Sequence, residues 1–169
     1  TTTGTVARHI GADDERAAAE HGIDGLWLAA ALGAALMTAG LIAVPTIVDV
    51  MGASPGVAPY ATEYLRISLL GAPFVLVALA AAGYLRGAQD TRTTLYVAVA
   101  ANGLNLVLEV VLVYGFDTGI AGSAWGTVVA QVVSAVVFLV VIRRRIRPTG
   151  ASARPRGDGV RAAAVVGSQ

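Results

Sequence analysis

The chain has 169 residues, of which 56% are hydrophobic and 14% charged, with a mean hydropathy of +0.69 and a formal net charge of +1. A soluble domain carries nearer a quarter charged residues, so this composition excludes an ordinary water-soluble core and points to a bilayer as the solvent. No cysteine is present, which excludes disulfides, thiolate chemistry and cysteine metal sites. The net charge says little about partners, because its distribution matters more than its sum.

Residues 1–7 read as the tail of an earlier helix, and the chain opens without an initiator Met or signal peptide. It is therefore expected to be an internal piece of a larger protein. Residues 8–22 are polar, and Asp13 or Asp14 is placed to cap a helix that starts before the membrane. His9 and His21 lie too far apart in this stretch for a convincing metal site and read as solvated. Four apolar runs follow, at about 25–50, 65–85, 95–116 and 120–142. Each reaches the ~20 residues that a helix needs to cross a bilayer core. The expected fold is an all-α integral membrane domain over 1–147, with four transmembrane helices plus a partial preceding one.

The first run carries Pro45 near its far end. Residues 51–63, rich in Gly, Pro and Ala, read as a loop outside the hydrocarbon. Gly71 and Pro73 predict a bend in the second run, because proline removes a backbone donor and crowds the preceding turn. Residues 86–94 form a tight polar loop, and 114–122 connect the third and fourth runs. Residues 148–169 lack periodicity and read as a flexible cytoplasmic linker or tail.

All twelve basic residues are arginine. Arg8, Arg16, Arg86, Arg92, Arg143, Arg144, Arg145 and Arg147 fall on one side of the four-span arrangement, and Arg66 alone on the other. The positive-inside rule makes the first side cytoplasmic. Asp49 and Asp117 then lie at outer, hydrated ends.

The third run admits Asn102, Asn105 and Glu109, whose spacings of three and four place them on one helical face. A carboxylate in a span faces a bundle interior or a wet cavity and is a functional candidate by default. Glu109 lies about 10 Å from the outer end of its helix at 1.5 Å per residue. Thr127, Gln131 and Ser134 repeat the spacing in reverse on the fourth run. A symmetric turn would pair Glu109 with Thr127, Asn105 with Gln131 and Asn102 with Ser134 as three polar rungs. The alternative is that Glu109 is a structural group locking the hairpin. Gly122 and Gly126 form a minimal small-xxx-small contact at the head of the fourth run, consistent with close packing alone.

The segments GYLRGAQDTRTT, NLVLEVVLVYG and GIAGSAWGTVVAQ, with VARHIGADDERAAAEHG upstream, resemble the multidrug and toxic compound extrusion (MATE) family, nearest its DinF-like bacterial branch. The likeness runs in order from residue 1 to 147. It implies part of the N-terminal lobe of a roughly twelve-helix transporter built as two six-helix lobes, the four spans being its third to sixth helices. It further implies that Asn105 and Glu109 on the fifth helix help form a proton or cation site, with Glu where Asp is frequent. Thr127 would join them from the sixth helix, Gln131 would line the same cavity, and Tyr64 would open the fourth helix near it. The principal acidic residue of that site belongs to the first helix, which this chain lacks, as it lacks the C-terminal lobe.

The function so implied is cation-coupled efflux, driven by H⁺ or Na⁺, of amphipathic or cationic organic compounds by alternating access in a bacterial inner membrane. Membrane lipids and the missing helices would be its partners. No enzyme activity, cofactor, metal centre or nucleic-acid partner is expected. Two other readings remain. A lipid-linked-precursor flippase would want a cationic cavity, and no span interior carries Arg or Lys. A non-transporting four-helix scaffold would use Glu109 for stability only.

Overall fold

A computed structural model describes Gly4 and residues 15–149. Apart from Gly4, which is helical, the expected helix over 1–7 lies outside the described residues, as do the Asp13 or Asp14 cap, His9 and the tail beyond Thr149. The elements in order are α1 (Glu15–Val50), α2 (Ala58–Leu70), α3 (Ala72–Gly87), α4 (Thr91–Val110) continued by a π-helical turn at Val111–Gly115, and α5 (Gly119–Ile146), followed by a 3₁₀ turn at Arg147–Thr149. The helices α1, α4 with its π turn, and α5 are each long and apolar enough to cross a membrane. The pair α2 and α3 makes a fourth span, bent by 41°.

The bend falls at Gly71. Pro73 has no N–H to return to the carbonyl of Leu69, so the ladder lapses there and resumes where the Val75 N–H donates to the Gly71 carbonyl at 3.0 Å. Helix α1 packs against this break through two glycines. Gly33 faces the backbone of Ala72 and Pro73, and Gly40 faces the side chain of Leu69. At Gly33 the approach is therefore backbone to backbone, and at Gly40 the missing side chain makes room for Leu69.

The connectors are shorter than the sequence suggests. Residues 58–63, read as loop, form the first turns of α2, because Pro59 fits the start of a helix, where its missing donor goes unused. The π turn and α5 consume most of the 114–122 connector and leave 116–118. The 86–94 loop contracts to 88–90 through a Schellman closure of α3, in which the Gln89 N–H donates to the Arg86 carbonyl and the Asp90 N–H to the Leu85 carbonyl. Gln89 occupies the left-handed position, with φ +60°. Helix α1 ends in the same way, with Gly52 as its left-handed residue.

Packing divides into two clusters. At the arginine-rich end, Ala18, Ala19 and Ile23 of α1, Ala81, Tyr84 and Leu85 of α3, Val97 of α4, and Phe138 and Ile142 of α5 form the larger one. Asp90 caps α4 by accepting from the Thr93 N–H at 3.1 Å. It also meets Arg145 Nη1 at 3.2 Å, while Arg145 Nη2 donates to the Ala88 carbonyl at 3.3 Å. The end of α5 is thereby tied to the α3–α4 turn. A smaller cluster of Ile67, Ala124 and Val128 holds α2 to the other half of α5. On α5, Gln131 and Ser134 lie between the two clusters, while Ser123 and Thr127 are level with the smaller one.

Candidate functional site: a polar cavity between three helices

Helices α4 and α5 approach closely because α5 presents glycines. Gly122 faces Leu112, and Gly126 faces Leu108 and the backbone N of Glu109, where an added Cβ would lie 3.4 Å away. This seam sets the depth of the neighbouring polar groups. The Glu109 carboxylate accepts a hydrogen bond from Ser123 Oγ at 3.1 Å.

That contact corrects the expected rungs. Thr127 does not bond Glu109; its hydroxyl donates to the Ser123 carbonyl of its own helix at 3.1 Å. Asn102 likewise turns to its own helix, donating to the Ala98 carbonyl at 2.8 Å. Asn105 and Gln131 form no bond with one another: Asn105 Oδ1 and Gln131 Oε1 are both buried without a hydrogen-bond partner. The turn is asymmetric, since the π segment adds residues on the α4 side, and the flexible Glu109 side chain leans toward the loop.

The structure nevertheless gathers most of these residues. Asn102, Asn105, Thr127, Gln131 and Ser134 line a cavity of about 250 Å³, walled on the third side by Val75 and Ala78 of α3. Glu109 stands one turn from Asn105, half-buried, and is not among the lining residues. Tyr64 lies on α2, is 38% exposed, and also stands apart from the cavity. Gln131 links the cavity to the break in the second span, because a Cβ on Gly71 would collide with Gln131 Oε1.

Two features escaped the sequence reading. Ser123 is the donor to Glu109, and its signal was a hydroxyl one turn before Thr127 on α5. The seating of Gln131 on Gly71 joins residues 60 positions apart and left no local signal. Chemically, the site offers acceptors: two carboxamide oxygens, hydroxyls and, one turn away, a carboxylate. A buried carbonyl left unpaired costs about 1–3 kcal/mol, so this cavity favours a polar occupant able to donate to it over apolar contents.

The MatE family model matches residues 1–111. The chain is 32% identical over 151 residues to DNA damage-inducible protein F of Escherichia coli, covering 89% of this chain and 33% of that protein. It is 41% identical over 117 residues to Protein DETOXIFICATION 44, chloroplastic, of Arabidopsis thaliana, covering 68% of this chain and 22% of the relative. An inward-facing multidrug resistance MATE family transporter of the MOP superfamily superposes with a TM-score of 0.80 at 27% identity, over 95% of this chain and 37% of that one. The chain thus spans about a third or less of the length of these curated relatives. With the family model covering well over half of its residues and the helices superposing in order, the chain belongs to the MatE family of multi-pass membrane transporters.

Proposed function

We propose that this chain forms the N-terminal-lobe part of a cation-coupled antiporter that exports amphipathic or cationic organic compounds across a bacterial inner membrane. The carrying observation is the cavity in which Asn105 Oδ1 and Gln131 Oε1 are buried without partners, with Glu109 one turn away. In a bilayer, an acidic residue beside unpaired acceptors suits a proton or a sodium ion. When Glu109 is protonated it is neutral; when it is ionised, a cation or an added donor offsets its charge. Thr127 and Gln131 supply further oxygens from α5. Occupancy of this region would bias the bent second span through the contact of Gln131 with Gly71, while the two lobes of the larger protein alternate access to a substrate held between them.

The test uses the full-length transporter that carries this chain, reconstituted in proteoliposomes, with dye efflux followed under imposed pH and Na⁺ gradients. Glu109→Gln keeps an acceptor for Ser123 and removes the titrating charge. Loss of gradient-driven efflux with folding and dye binding intact is the expected result, and the effective gradient names the ion. Unchanged efflux would reduce Glu109 to a packing residue.

A further inference from the structure

At the arginine-rich end, α3 lies between α1 and α5 and floors an open groove of about 570 Å³. Leu26, Trp27 and Ala30 form one wall, Leu139 and its neighbours on α5 the other, and Val77 lies on the floor. The sole charged lining group is Arg143, at the mouth. Trp27 is 52% exposed there, and tryptophan concentrates at the depth of lipid headgroups.

The arginines at this end differ in their commitments. Arg145 is bound to Asp90 and to the Ala88 carbonyl. The side chains of Arg143, Arg144 and Arg147 make no hydrogen bond or ion pair among the described residues. Arg147 follows Arg143 by four residues, which places it one turn further along the same side of the chain. A guanidinium matches a phosphate with two parallel N–H donors, and basic sites between helices on the cytoplasmic side take acidic headgroups.

We propose that this groove binds an anionic phospholipid of the adjoining leaflet, one acyl chain lying along Leu26, Ala30, Val77 and Leu139 and the phosphate on Arg143, with Arg147 beside it. Charge complementarity selects the occupant. The apolar walls give a soluble anion nothing to hold, and a zwitterionic headgroup brings a cation to an already cationic mouth. Topological anchoring alone would explain arginines at this end, but not an unpaired one set into an apolar groove.

The test takes the full-length transporter in mild detergent and measures retained phosphatidylglycerol, cardiolipin and phosphatidylcholine by native mass spectrometry. The two anionic lipids are expected to outlast phosphatidylcholine. Arg143→Gln should lower phosphatidylglycerol retention about fivefold, the value of one surface-proximal cation. Arg92→Gln, an exposed arginine at the same end but outside the groove, should leave retention unchanged, and Arg143→Lys should keep part of it. Ala30→Trp fills the groove without changing charge and should displace every lipid; Ala30→Leu serves if the larger variant does not fold. The proposal is overturned by equal retention of phosphatidylcholine, by an equal drop in Arg92→Gln, or by full competition from inorganic phosphate. Indifference to every groove variant would also overturn it and would mean that another segment of the transporter covers the groove.

Discussion

Gly33 of α1 rests on the backbone of Pro73, so the longest helix of the bundle is seated on the break in the bent span. A Cβ at residue 33 would meet main-chain atoms that cannot rotate aside. Gly33→Ala should therefore lower stability by about 1–3 kcal/mol, the usual range for overpacking. Gly103 has open space around it on α4, so Gly103→Ala should be neutral or stabilising by up to about 1 kcal/mol. Thermal unfolding of the two variants in detergent compares them directly.

Ser123 and Thr127 separate two roles for a hydroxyl on one helix face. Ser123→Ala removes the donor to Glu109 and should cost about 1 kcal/mol. Thr127→Val removes a bond to its own helix and should cost less, since that bond is locally replaceable. A double-mutant cycle of Ser123→Ala with Glu109→Ala, which removes the acceptor, measures the coupling. Additive losses would mean that the two side chains do not act together.

Gly71→Ala would force Gln131 Oε1 from its place. Because the displaced atom ends a flexible side chain, the expected loss is smaller than for Gly33→Ala. It should shrink in a Gln131→Ala background, where only the Ser68 carbonyl, 3.2 Å from the added Cβ, remains close. Non-additivity in thermal unfolding is the readout.

The turn between α3 and α4 holds a residue in an unfavourable conformation. Gln89 is left-handed and exposed at a position that glycine occupies at the end of α1. Gln89→Gly should stabilise by about 1 kcal/mol. At the next residue, Asp90→Ala loses both the cap of α4 and the Arg145 pair, whereas Asp90→Asn retains a capping oxygen. Asp90→Ala should cost about 1–2 kcal/mol and Asp90→Asn well under half of that, since exposed ion pairs contribute little.

Apolar length made the spans legible, and Gly71 with Pro73 made the bend legible, because both signals are local in the chain. The polar residues were legible as a group for the same reason: Asn102, Asn105, Thr127, Gln131 and Ser134 are conspicuous in apolar runs, and they do share one cavity. Their pairing was not legible. The pairing supposed a symmetric turn, whereas five residues of π helix and two left-handed residues, Asp117 and Gly119, shape the α4–α5 turn, and Thr127 and Asn102 find acceptors within their own helices. The groove beside Arg143 was equally out of reach, since it depends on how far α1 and α5 diverge over α3, a distance that no residue pattern encodes.

The grip of Arg145 on Asp90 and Ala88 has a mechanical corollary. It fastens the ends of α3, α4 and α5 into one plate, backed by the larger apolar cluster. Beyond that plate the lobe has a joint at Gly71 and a thinner patch of packing at Ile67, Ala124 and Val128. A load on this bundle would therefore meet its stiffest part at the arginine-rich end and its most compliant part at the bend in the second span.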